Sequence, residues 1–236
     1  MVAVSNAFPP SFQENTVPLK TRQKSALSAS RDRRPGSGEA TKAALLKAAE
    51  KVFAEYGFST ARLDHVADAV GIRRASLLYH FPTKQELYDQ VEADIFRELE
   101  AYAEQKLRDC KTPWEQLLTL IDVWLEFWTG RPTGARIILR ITADITPRIN
   151  DPIQFAGPII LHFERIIRSG IEQGEFIECN ASDLICLLGG SILQYVCIAP
   201  HLGPVRSYHP DDPARMAAFR AMVHRAARAL LTPPGK

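Results

Sequence analysis

From Leu45 onward the apolar residues recur at helical spacing, and the run is cut at Gly57, Gly71 and Pro82. Leu45, Ala49, Val52 and Tyr56 share one face of a helix that Gly57 ends. Leu63, Val66, Ala67 and Val70 make a second, short face closed by Gly71, and a third segment runs from Arg73 to about His80. Thr83-Lys84-Gln85-Glu86 then reads as a capping box, so a longer helix is expected over about 83–107, carried by Leu87, Val91, Ile95 and Leu99. Three helices in about forty residues, the last two joined by a tight glycine turn, describe a helix-turn-helix, which sets its second helix in the DNA major groove.

The rest of the chain keeps the same period. Thr112-Pro113-Trp114-Glu115 is a second capping box with proline at the first helical position, followed by the stripe Trp114, Leu117, Leu118, Ile121, Trp124, Leu125 and Trp128. Asp151-Pro152 and Asp212-Pro213 look like further helix starts. Residues 159–171 are amphipathic, and 184–198 are apolar nearly all round, which predicts a helix buried on most sides. Met216, Phe219, Val223, Ala226 and Leu230 mark a last helix, stopped at Pro233-Pro234. No period-two run is long enough for a sheet. The expected fold class is all-α: an N-terminal helix-turn-helix DNA-binding domain (39–88) plus a C-terminal helical ligand-binding and dimerisation domain (101–231), linked by the helix at 83–107.

Composition excludes several classes. The 236 residues are 46% apolar and 24% charged, as in a globular protein with a real core. No apolar run reaches the roughly 18 residues needed to span a bilayer, and no secretory signal opens the chain. Cys110, Cys179, Cys186 and Cys197 form no C-x-x-C and are too few for a disulfide scaffold. A reducing, cytoplasmic location is expected. The net charge of +2 hides an asymmetry, because residues 1–38 carry six cations against Glu14 and Asp32. That Ser- and Pro-rich segment is read as a disordered basic tail. It can attract phosphates, or be a solvated extension or a misassigned start.

The chemistry concentrates at the third segment. Arg73 and Arg74 fall at the N-terminal end of the recognition helix, where arginine can grip guanine O6 and N7 with two hydrogen bonds. Ala75 and Ser76 are small enough for a close approach to the groove. Tyr79 can touch a thymine methyl or a phosphate. Lys84, in the first turn of the next helix, can hold a phosphate together with the free N–H groups there. Each has a plainer reading: a solvated arginine pair, and Tyr79 and His80 packed between helices.

Residues 39–88 resemble the DNA-binding domain of the TetR/AcrR family of bacterial transcriptional regulators. The likeness runs from Ala48-Ala49 through Phe53 and Gly57-Phe58, and through Val66-Ala67-Asp68-Ala69-Val70-Gly71-Ile72. It is sharpest in Ser76-Leu77-Leu78-Tyr79-His80-Phe81-Pro82-Thr83-Lys84-Gln85-Glu86-Leu87, similar to the family's Thr-Leu-Tyr-x-His-Phe stretch and its Lys-x-x-Leu helix start. Leu78 stands where the family usually has a phosphate-binding tyrosine, and Ala61 where it has a threonine. The resemblance implies base or phosphate contacts for Arg73, Arg74, Ser76 and Tyr79, positioning roles for His80 and Lys84, and a phosphate contact for Arg62. It also implies a homodimer through the two C-terminal helices (about 181–199 and 212–231), a palindromic double-stranded DNA operator, and an unknown small-molecule effector whose binding releases a repressor. Gly189-Gly190-Ser191 would let a second helix approach, from the partner or from the same chain.

For the effector pocket the candidates are Trp124, Trp128, Phe155, His162, Phe163 and Tyr195, since small-ligand pockets are apolar with a few polar groups. The same aromatics at helical spacing also suit a plain core. Arg136 and Arg140 can hold an acidic ligand, pair with Asp144 or face water. No cofactor and no metal are expected, because no Glu has His three residues later and no H-E-x-x-H, G-x-S-x-G or P-loop occurs. An enzyme is therefore not expected. An activator, or an architectural or nucleoid DNA-binding protein, remains the alternative to a repressor.

Overall fold

The computed structural model describes residues 37–143, 155–197 and 209–235. The basic tail, Asp144, the Asp151-Pro152 start and residues 198–208 lie outside them. From Gly36 onward the chain is one compact unit, and its described residues form helices without strands.

Helix α1 (Ser37–Thr60) is broken at Gly57, where the stop was expected; its φ of 73° is left-handed, and a short further turn runs on to Thr60. Helix α2 (Leu63–Val70) closes on Gly71 at φ 72°, with the backbone N–H of Ile72 returning to Ala67 O at 3.0 Å. That turn throws the chain into α3 (Arg74–His80), with Arg73 at its N-cap. Helix α4 (Lys84–Leu107) starts at Thr83, whose Oγ1 accepts from Glu86 N at 3.1 Å. The reciprocal half of that box is replaced: the Thr83 hydroxyl donates to the Glu86 carboxylate. The second box is complete and opens α5 (Pro113–Gly130). Then come α6 (Pro132–Ala143), α7 (Gly157–Glu172), α8 (Ala181–Leu184), α9 (Gly190–Cys197) and α10 (Pro213–Leu231), the last capped by Asp212.

The head's core is Leu45, Ala49 and Phe53 from α1, Leu63, Val66 and Ala67 from α2, Leu77 from α3, and Leu87, Tyr88 and Val91 from α4. Phe53 meets Tyr88 edge-on at 4.8 Å. Tyr56, expected on the buried face, is exposed and tilts against His65 at 5.3 Å. Its place is taken by Phe53, because the Gly57 break ends the regular face there.

Between α8 and α9 the helix widens into one π turn, Ile185–Gly189. Gly189 is required there: a Cβ would stand 2.8 Å from Cζ3 of Trp124. The close approach is therefore to this chain's own Trp124, while Gly190 has nothing within 4 Å of such a carbon. Burial on most sides, expected for 184–198, is not found. Leu184, Leu188, Ile192, Tyr195 and Val196 are buried, whereas Leu187 is 54% exposed and Cys186 is exposed. One chain covers only one side of this segment. Helix α10 buries Val223, Ala227 and Leu231, a face rotated from the expected one, and leaves Met222 at 51% and Leu230 at 41% exposure. Arg220 ties α10 to α5, 3.2 Å from Asp122 and 2.9 Å from Glu126.

Candidate nucleic-acid interface

The α2–turn–α3 unit presents one polar face. Arg62, Arg73, Arg74 and Ser76 are exposed, and Tyr79 stands out with 85% of its surface free. Beneath them Leu77 is fully buried, which fixes the roll of α3 and points its neighbours outward. Arg74 lies 3.3 Å from Asp64 and Arg62 lies 3.7 Å from the same carboxylate. Asp64 was not among the sequence candidates. It sits in the first turn of α2, where a carboxylate suits the helix dipole, and the turn at Gly71 brings α3 beside it. Exposed pairs of this kind contribute little to stability. Their effect is to hold two guanidinium groups in one orientation. His80 is half-buried and edge-on to Tyr79 at 5.4 Å, so it sets that ring rather than standing free.

Lys84 has an occupation its sequence did not announce. Its Nζ donates to the carbonyls of Phe58 (2.7 Å), Ser59 (3.3 Å) and Ala61 (3.2 Å), and lies 4.6 Å from the Phe58 ring centroid. The ammonium thus caps the end of α1, whose last carbonyls lack helical partners. Leu78 is half-buried and Ala61 is buried, so neither offers a polar group to the outside.

The head is fastened to the rest of the chain through α1. Arg131, at the turn between α5 and α6, pairs with Glu50 at 2.6 Å and with Glu98 of α4 at 2.6 Å. Thr133 donates its hydroxyl to Glu50 as well. Burial alone would raise the Glu50 carboxyl, but the bonds from Arg131 and Thr133 outweigh it and hold the group below its ordinary value. Arg140 of α6 donates to Glu55 O at 3.2 Å and fills the space beside Gly57. It is thus engaged by α1, while Arg136 is exposed.

The six aromatic and histidine candidates for a pocket are spread over several places. Trp124 stacks on Phe163 at 5.6 Å, both buried, and Trp128 meets Phe127 at 5.0 Å. Tyr195 stacks on Phe219 at 4.1 Å and donates to Pro210 O, which holds α9 to α10. Phe155 lies by the head, lining a cleft with Lys42, His80 and Phe81. His162 faces Glu100 and Glu104. Helix spacing gathers rings into the core first. Trp124 Nε1 and its helix neighbour Thr129 Oγ1, like Nδ1 of His162, are buried without a hydrogen-bond partner among the described residues.

Residues 45–91 match the family model of bacterial regulatory proteins, tetR family. The chain carries a TetR-family domain. Relatives extend the likeness beyond that domain. The HTH-type transcriptional regulator RutR of Escherichia coli K12 is 25% identical over 167 residues, 70% of this chain and 78% of RutR. The HTH-type transcriptional activator FasR of Mycolicibacterium smegmatis is 28% identical over 112 residues, 48% of this chain and 51% of FasR. The fold matches the transcriptional regulator FadR of Bacillus subtilis in complex with stearoyl-CoA, with a TM-score of 0.64 at 17% identity, over 78% of this chain and 95% of FadR. These relatives are named as transcriptional regulators, and the match over residues 45–91 gives this chain a DNA-binding domain of the kind they carry. No helix among the described residues is long and apolar enough to cross a membrane.

Proposed function

We propose that this protein is a sequence-specific transcriptional repressor that binds a palindromic operator as a cytoplasmic homodimer and is released by a small effector. The carrying observation is the outward face of α3, with Arg73, Arg74, Ser76 and Tyr79 exposed above a buried Leu77. Arg73 and Arg74 read base edges, Tyr79 and Arg62 meet the backbone, and His80 sets Tyr79. Dimerisation uses the apolar side of the 181–197 segment and α10, which one chain leaves open at Leu187 and Met222. The effector lodges in the 101–231 region near Trp124, whose buried indole N–H awaits an acceptor. Binding there that favours one spacing of the two heads lowers DNA affinity, and DNA lowers effector affinity by the same factor.

The test is selection from random duplex DNA with the full-length protein at near-physiological salt. A palindromic consensus supports a dimeric reader, and no enrichment from a folded dimer rejects it. FasR, named an activator, favours a second reading in which the same operator contact raises transcription. A reporter driven by the selected site separates the two by the sign of its response.

A further inference from the structure

We propose that Glu100, Glu104 and His162 form a binding site for a divalent transition-metal ion, zinc or a first-row neighbour, that clasps α4 to α7. Glu100 and Glu104 lie four residues apart on α4 and so share one face, where two like charges repel. His162 comes from α7. One donor atom from each lies within 4.8 Å of the others. None of the three pairs directly with another, and no Lys or Arg among the described residues pairs with either carboxylate. Nδ1 of His162 is buried and has no hydrogen-bond partner among the described residues. A desolvated imidazole nitrogen of that kind is uncommon in a folded protein and calls for a partner.

The donor set selects the ion. Zinc sits about 2.0–2.2 Å from carboxylate oxygen and imidazole nitrogen, so the ligands of one tetrahedral ion stand roughly 3.3–3.6 Å apart. The remaining distance falls to the two glutamate side chains to close, by rotation about their own bonds. Imidazole beside carboxylates suits zinc, cobalt, nickel, iron or manganese, whereas calcium and magnesium are held by oxygen alone. A cation also removes the repulsion along α4. Glu104 is exposed, which gives the ion a path from solvent. Three protein ligands leave a position for water or a small anion.

The experiment is titration of chelator-treated full-length protein with cobalt(II), followed by visible absorption and calorimetry. One ion per chain is expected, with weak ligand-field bands and no thiolate-to-cobalt charge-transfer band. Glu104→Gln and His162→Ala should each weaken binding by about tenfold or more, since even outer-shell changes cost metal sites that much. Glu104 is exposed, so its variant keeps the fold, which circular dichroism verifies. Unchanged affinity in both variants, a thiolate band from the free cysteines, or no binding at millimolar cobalt overturns the site. The titration contains no DNA, so its outcome is independent of operator selection.

Discussion

Nη2 of Arg131 lies 2.6 Å from Oε2 of Glu50, and that contact joins the helix that carries the head to the turn between α5 and α6. Glu50 is 8% exposed. Removing its partner strands a buried charge, so Arg131→Met should cost about 3–5 kcal/mol in urea denaturation. The sign with pH follows. A carboxyl held low in the fold adds stability above its unfolded pKa of about 4.3, lost as pH falls through the lower folded value. Wild type should therefore lose melting temperature as it is acidified through that range. In Arg131→Met burial is opposed only by the Thr133 hydroxyl, protonation relieves the stranded charge, and the deficit against wild type should narrow toward acid.

Lys84→Met keeps the aliphatic stem and deletes three bonds to carbonyls at the end of α1. Hydrogen bonds to charged groups are worth roughly 1.5–3 kcal/mol when buried. This ammonium is half-exposed, so a loss of about 1–2 kcal/mol is expected. Any loss of DNA affinity should be equal for specific and random sequences. A stability unchanged by chemical denaturation would remove the capping role.

Gly189→Ala sets a methyl against the buried Trp124 ring. Overpacking of this sort costs about 1–3 kcal/mol, and Trp fluorescence should shift with it. Gly190→Ala, with open space around the added carbon, should cost nothing in the monomer.

Arg74→Ala should weaken binding to the selected operator by about 1–3 kcal/mol while barely changing binding to random DNA. Its partner Asp64 is on the surface, so the melting temperature should stay put. Equal losses on both DNAs in a mobility-shift titration would make Arg74 a phosphate contact.

Leu187→Glu places a charge on the open apolar side of the 181–197 segment. Sedimentation should find dimer for wild type and monomer for the variant. A variant that stays dimeric would move the interface elsewhere.

The head was legible because its signals are local. Gly71 closes α2, Leu77 turns α3, and Thr83 starts α4, each within a few residues of the feature it controls. The contacts that fasten it were not, because Lys84 reaches back to Phe58 and Arg131 to Glu50 across long stretches of chain. An isolated Lys or Arg carries no mark of its partner. The aromatic candidates do not sort themselves by sequence for the opposite reason: one stripe at helical spacing serves packing and pocket alike, and the unpartnered indole N–H of Trp124 shows only once the helices pack. Glu100 and Glu104 were not singled out in the sequence, and His162 joins them only once α7 packs beside α4.

Helix α4 contains neither glycine nor proline along its 24 residues, about 36 Å of uninterrupted rod. It has no joint of its own. Whatever happens near Glu104 must reach Thr83 as a swing of the whole shaft, and a sideways step of about 1 Å over roughly 30 Å turns it by about 2°. The left-handed break at Gly57 in α1 is wedged by Arg140 and lies within the head. The head, packed on that shaft through Leu87, Tyr88 and Val91, is carried with it, and a message between the two ends of this protein is one of aim.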